Sequence, residues 1–334
     1  MGNGEFDVIR RYFTPFGRIT RSDVIVSIGD DCAVTQHLQN QYVATTTDTM
    51  VENTHFLPSI SASDLAYKAI ATNLSDLAAM GANPAWFSLA LTLPKIDQRW
   101  LSEFSNSLFS VLDQYNVELI GGDTTKGSLY VVTITAQGII CGQALCRHSA
   151  NVGDSIYVSG TLGDSAGGLR LLLQNTPEIE KNVVNLTKEY LIQRHLRPTP
   201  RISLGKALAK NHLASAAIDI SDGLVADLGH ILQRSQCRAV INLDKLPLSQ
   251  QLVDTFGQGQ AECLALSGGE DYELCFTVSE QNQMKLEDTL ESLGVPYCRI
   301  GQILAPDPKE SNLIFQRHGQ PVELGEIKGF DHFK

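Results

Sequence analysis

The chain holds 334 residues, 43% of them hydrophobic and 19% charged, with a formal net charge of −11. That length exceeds one ordinary core and predicts two α/β domains. The acidic balance, with no Lys/Arg stripe, excludes a nucleic-acid binder, and no stretch nears the ~20 apolar residues of a membrane span.

The opening residues, MGNGEFDVIRRYF, carry no apolar signal core, so a cytoplasmic location is expected. Seven cysteines include no C-x-x-C pair and read as small buried hydrophobes rather than a zinc or disulfide frame.

Residues 5–13 read as a short helix and 24–28 as a strand that runs directly into Asp30 and Asp31. A second strand, 42–47, brings Thr46, Thr47 and Asp48 to its end, all of them hard oxygen donors. His55 follows in a loop before Pro58. Residues 64–82 are predicted to form one helix, capped by Ser63 or Asp64 and closed by Gly81 with the positive φ that glycine allows. At 100° per residue, Leu65, Ala69, Ile70, Leu77 and Met80 share a face. Asp76 and Asn73 fall on that same face. A carboxylate among aliphatics is costly unless a cation or a hydrogen-bond donor meets it. Asp76 is therefore read as the centre of a magnesium site that binds phosphates; the alternative is an acid at the face edge capping a neighbouring loop.

Next come a strand at 86–93, an amphipathic helix at 98–115 and a short strand at 117–120 that leads into Gly121-Gly122-Asp123-Thr124-Thr125. The two glycines form a tight turn or let backbone N–H groups approach a phosphate. A long alternating strand covers 129–140, Arg147 lies just beyond it, and a domain boundary is expected around 148–154. Strand 155–159 leads into a glycine-rich loop, 160–168, that opens a helix at 169–173. The loop matches neither the Walker A pattern nor G-x-G-x-x-G. Residues 174–187 read as an exposed excursion, and helices at 188–195 and 201–211 flank a Pro-Thr-Pro turn. Strand 216–220 carries Asp219 among apolar residues and turns into a helix at Ser221 and Asp222. Capping accounts for Ser221 or Asp222 but not for Asp219. Strands at 238–243, 272–278 and 297–304 follow, the middle one preceded by a Ser-Gly-Gly-Glu-Asp turn. The tail, with Phe330 and Phe333, reads as docked.

Asp30, Asp31, Asp48, Asp76, Asp123, Asp219 and Asp222 thus recur at the ends or inside of apolar elements. If the fold gathers them, divalent ions must offset their repulsion. Magnesium prefers oxygen ligands and combines one or two carboxylates with substrate phosphates. On the residues alone, the reading is a magnesium-dependent enzyme of phosphorylated substrates.

Seven motifs sharpen it: IGDDCA at 28–33, TTTDTMVENTHF at 45–56, NLSDLAAMGA at 73–82, GGDTT at 121–125, DISDGL at 219–224, SGGEDYEL at 267–274 and GFDHF at 329–333. Together, and in family order across essentially the whole chain, they resemble the thiamine-monophosphate kinase family. Its superfamily includes aminoimidazole ribonucleotide synthetase and selenophosphate synthetase. The resemblance implies a two-domain α/β (α+β) fold of the aminoimidazole ribonucleotide synthetase type. Residues 1–148 would bind metal and ATP and dimerise through strands forming a shared barrel; residues 149–334 would complete the active site. It implies Mg²⁺-dependent, in-line transfer of the ATP γ-phosphoryl to thiamine monophosphate by a homodimer. Metal positions carry over to Asp31, Thr46, Thr47, Asp48, Asp76, Asp123, Asp219 and Asp222. ATP contacts carry over to Gly122, Asp123, Arg147 and Ser221, and substrate contacts to His55, Glu270 and Phe330. Asp76, Asp123 and Arg147 are the expected catalytic groups. The competing expectations are a metal-dependent phosphohydrolase, another ATP-using member of the superfamily, and a non-catalytic binder of thiamine phosphates or nucleotide.

Overall fold

The structure, a computed structural model, describes residues 8–14, 21–28, 33–36, 41–140, 142–173 and 185–324. The chain divides into two units, Met1–Leu77 with Ala82–Cys141, and Ala78–Gly81 with Gly142–Lys334.

In the first unit, β1 (Val24–Val26) and β2 (Val34–Thr35) pair antiparallel. A four-stranded sheet follows, built from β3 (Tyr42–Val51), β4 (Asn83–Leu93), β5 (Glu118–Lys126) and β6 (Val131–Ile140) in the order β3-β6-β4-β5. Among the described residues, the unit's helices are a short one at Ile9–Phe13, α1 (Ala62–Ala79) and α2 (Gln98–Gln114). Strands β4 and β5 run parallel, as expected when a helix such as α2 carries the chain from one to the other. Along β6, Val132, Ile134, Ala136 and Ile140 are buried while the alternate residues are half-buried, so one sheet face packs and the other stays open.

Helix α1 begins earlier than the sequence predicts. Ser61, not Ser63 or Asp64, caps it: the Ser61 Oγ accepts the Asp64 N–H at 3.0 Å and donates to the Asp64 carboxylate at 2.7 Å. This reciprocal pair fixes the first turn. The far end is as expected. Gly81 takes φ 70°, and the Gly81 and Ala82 N–H groups reach the Ala78 and Leu77 carbonyls, each at 2.9 Å.

Two strands run further than predicted. Strand β3 continues past Asp48 to Val51, tied to β6 by hydroxyl pairs Thr47–Thr135 and Thr49–Thr133 at 2.9 Å each. The Gly-Gly-Asp-Thr-Thr stretch lies inside β5, because pairing with β4 supplies partners for its backbone.

The second unit is organised on a seven-stranded sheet. Its strands are β7 (Ser155–Ser159), β8 (Ala216–Asp219), β9 (Arg238–Asn242), β10 (Leu274–Val278), β11 (Tyr297–Leu304), β12 (Leu313–Arg317) and β13 (Gln320–Pro321). Their order is β13-β12-β9-β11-β7-β10-β8. Strands β7 and β10 are buried along their whole length, so neither shows the apolar–polar alternation of a strand with one open face. The core joins Ile156, Val158, Ile218, Leu228, Ile231, Ile241 and Ile300. Helices α3 (Asp164–Leu173), α4 (Asn185–Leu196), α5 (Ile202–Lys210) and α6 (Leu224–Ser235) carry residues discussed below. Helix α3 starts within the glycine-rich loop, earlier than the predicted 169. Residues 174–184 lie outside the described residues. Among the described residues, no helix is long and apolar enough to cross a membrane.

Candidate active site

In the first unit, strand alternation decides which side chains meet α1. Thr46 and Asp48 face it: the Thr46 hydroxyl donates to the Asp76 carboxylate, and Asp48 lies within the field of the Asp76 charge. Burial pushes the Asp48 carboxyl up to about 6, and the neighbouring Asp76 charge adds to the rise. One turn before Asp76, the Asn73 NH₂ donates to the Ala69 carbonyl at 3.0 Å, while its buried Oδ1 has no hydrogen-bond partner among the described residues. Two close acids and the Thr46 hydroxyl form an all-oxygen donor set, which fits Mg²⁺. Among the described residues, no group of three or more His, Cys, Asp or Glu is gathered to hold a metal. Asp30 and Asp31 lie outside the described residues.

Asp123 does not join the Asp48–Asp76 pair. Register places it opposite Ala90, which pairs in turn with Thr133, and Thr133 with Thr49. These residues share the open sheet face, where Thr47 also lies, while Asp48 and Asp76 occupy the helix side. Gly122 answers to its neighbour strand rather than to a turn. At φ 151°, a Cβ there would sit 1.8 Å from the Leu89 carbonyl oxygen. His55 is fixed in a tight turn after β3, its Nδ1 accepting the Val51 N–H at 3.0 Å. Neutral His55 therefore carries its proton on Nε2. Phe330 lies outside the described residues.

In the second unit, Arg147 is exposed, and its carbonyl accepts the Ser235 hydroxyl at 2.9 Å. Two distant motifs meet here. Asp219, 3% exposed, is paired with Leu274 at the end of β8. The Glu270 and Tyr272 N–H groups reach the Ser221 and Ile220 carbonyls at 2.7 and 2.9 Å, and the Ile220 N–H returns to Glu273 at 2.8 Å. Glu270 is thereby held beside the turn of Ser221 and Asp222.

Glu270 and Tyr272 both adopt left-handed backbone, φ 67° and 51°, which is costly for bulky residues. Between and beyond them, two buried acids pin the segment. Asp271 accepts the Gly163 and Ser165 N–H groups at 2.6 and 3.0 Å, which is why α3 begins at Asp164. Burial pushes Asp271 up to about 7, against those two donors. Glu273, fully buried, takes both arms of the Arg201 fork at 2.6 Å, the Arg194 guanidinium at 2.9 Å and the Ser159 hydroxyl at 2.6 Å. His195 Nδ1 lies 3.1 Å from the Ser165 hydroxyl and 3.4 Å from the Glu270 carboxylate. Sequence reasoning passed over Arg194, His195, Arg201, Asp227, Asp271 and Glu273. The available signal was the group of basic residues bracketing Pro-Thr-Pro; the three acids carried none.

Residues 29–140 match AIR synthase related protein, N-terminal domain, and residues 151–311 match AIR synthase related protein, C-terminal domain. The chain is 56% identical to thiamine-monophosphate kinase of Haemophilus influenzae, covering 100% of this chain and 99% of that one. The crystal structure of thiamine-monophosphate kinase from Stenotrophomonas maltophilia is 44% identical, with a TM-score of 0.81 over 90% of this chain and 93% of that one. The structure of AaThiL complexed with AMPPCP and TMP is 35% identical, with a TM-score of 0.75 over 92% of each chain.

Proposed function

The chain belongs to the thiamine-monophosphate kinase family, and from that membership we propose that it transfers the γ-phosphoryl group of ATP to thiamine monophosphate, forming thiamine diphosphate. The observation that carries this reading is the 56% identity with a thiamine-monophosphate kinase across the whole chain. The AaThiL complex with AMPPCP and TMP supports ATP and thiamine monophosphate as the pair of reactants.

The nucleophile is a phosphate oxygen, already anionic near neutral pH, so no strong general base is required. The obstacle is charge, because two polyanions must approach in line. Mg²⁺, when bound, supplies the neutralisation. Asp48, Asp76 and the Thr46 hydroxyl would hold one ion; several ions are proposed, and Asp31, Thr47, Asp123, Asp219 and Asp222 are the ligands proposed for the others. Gly122, Asp123, Arg147 and Ser221 serve ATP, Arg147 as a fixed cation for its phosphates. His55 offers its Nε2–H as a donor to the thiamine substrate. Glu270 presents a carboxylate to the same cationic molecule, and Phe330 an aromatic face worth roughly 0.5–2 kcal/mol. The reading also includes residues 1–148 and 149–334 as the two functional halves, a homodimer, and a cytoplasmic location.

The experiment incubates purified protein with ATP, thiamine monophosphate and Mg²⁺ and follows thiamine diphosphate by chromatography. Product is expected with Mg²⁺ and none after chelation. Release of free phosphate without acceptor, and no diphosphate, would instead identify a phosphohydrolase.

A further inference from the structure

The Ser221-Asp222-Gly223 turn precedes α6, a place where successive backbone N–H groups usually cradle a phosphate. Here they do not point at a ligand. The N–H groups of Ser221, Asp222 and Gly223 all converge on one carboxylate oxygen, Oδ2 of Asp227, at 3.0, 3.0 and 3.1 Å. Asp227 stands in the first turn of α6 and is 2% exposed. Three donors on one buried acceptor leave the turn little freedom, and its carbonyl side is tied as well, through the Glu270 N–H on the Ser221 oxygen at 2.7 Å. The side-chain oxygens that the turn itself carries are the Ser221 hydroxyl and the Asp222 carboxylate, and Asp219 precedes it by one residue, Ile220. Such oxygens suit a hard cation and not a bare phosphate.

We infer that Asp227 is a positioning residue that consumes the phosphate-binding donors of the 221–223 turn and so commits that turn to holding divalent cation on behalf of the nucleotide. This rests on the kinase reading above. The nucleotide is then bound at this turn through the ion and side-chain oxygens, and the backbone serves only as a frame.

Two measurements test it. In the natural protein without ligands, hydrogen exchange at the 221–223 amides is expected to be slow and to stay so when Mg²⁺ and ATP are added. Fast exchange that slows only with nucleotide would show the donors facing phosphate, and would overturn the inference. The second is kinetic. Asp227→Ala, checked for fold by circular dichroism, is expected to raise the Mg²⁺ needed for half-maximal rate by roughly 10–100-fold, the range found when a group orienting a metal ligand is lost. The KM for thiamine monophosphate should stay nearly constant. Asp227→Asn can place its amide oxygen on the same three donors, so it should restore most of the Mg²⁺ dependence. Unchanged Mg²⁺ dependence in Asp227→Ala, an equal rise in both substrates' KM, or an Asp227→Asn as impaired as Asp227→Ala each refutes the role. If the alanine variant does not fold, the asparagine variant and the exchange data decide. A natural protein that forms no thiamine diphosphate defeats the kinase reading and leaves the exchange result standing.

Discussion

Replacing Asp76 by Asn should make the metal-free protein more stable while abolishing its chemistry. The Asp48 carboxyl is raised from 3.8 to about 6, first by burial and then by the Asp76 charge. An acid with a raised folded-state pKa destabilises the fold once pH exceeds its unfolded value. Below 3.8 both states are protonated and nothing is lost. Between 3.8 and about 6 the unfolded chain ionises while the folded one holds its proton, so the deficit grows, and above about 6 it levels off. The full rise corresponds to about 3 kcal/mol at 1.36 kcal/mol per unit. Burial is the larger cause and survives the substitution, so removing the Asp76 charge returns less than half, on the order of 1 kcal/mol. The Asn oxygen still accepts the Thr46 hydroxyl, so local geometry is kept. Urea unfolding in chelator at pH 8 and again near pH 4 measures this directly. The gain should be present at pH 8, absent near pH 4, and accompanied by loss of thiamine diphosphate formation with Mg²⁺ restored. A variant less stable at pH 8, or one that gains equally at both pH values, would show that the two carboxylates do not repel.

Gly122→Ala should cost the first unit about 3 kcal/mol or more, since the new Cβ meets the Leu89 carbonyl oxygen and the backbone must shift; an unaltered melting temperature refutes this. Arg201→Ala strips both arms of a fork from buried Glu273 and should lower stability by about 3–5 kcal/mol, with Arg201→Lys intermediate, both read by urea unfolding. Phe330→Ala should raise the KM for thiamine monophosphate about 2- to 30-fold, the equivalent of 0.5–2 kcal/mol. A KM change confined to ATP contradicts stacking on the thiamine rings.

Local chemistry made much of the frame legible. The apolar face of α1 and its Gly81 stop are written in adjacent residues, as is the alternation of β6. The ends of elements were less so. Nothing near Asp48 in the chain announces that β3 continues, because the hydroxyls of Thr133 and Thr135 that hold it lie far along the sequence. Likewise, two glycines before Asp123 read as a turn when only short-range chemistry is weighed. The conformation of Gly122 is set by Leu89, a partner that pattern analysis cannot see.

The same distinction separates residues that touch reactants from those that hold them. Asp76 and Asp219 stood out because each looks wrong where it sits, an acid on an apolar face and an acid in an apolar strand, whereas Glu270 was legible only through the family motif that contains it. Asp227, Asp271 and Glu273 look ordinary in sequence, since an acid in a helix's first turn or in an alternating acidic run needs no special reason. Only the fold shows that Asp227 and Asp271 each gather backbone donors ahead of a helix, and that Glu273 gathers two guanidinium groups. On the proposed reading, an unfavourable position marks a ligand-facing group, whereas a supporting group sits where its own backbone or a distant arginine already satisfies it. This asymmetry predicts that substitutions in the two classes separate by assay: Asp76 and Glu270 variants should lose turnover or affinity with stability kept or raised, and Glu273 or Arg201 variants should lose stability first. A Glu270→Gln variant that unfolds in urea as early as Arg201→Ala would place Glu270 among the supports and remove the basis for assigning it to the substrate.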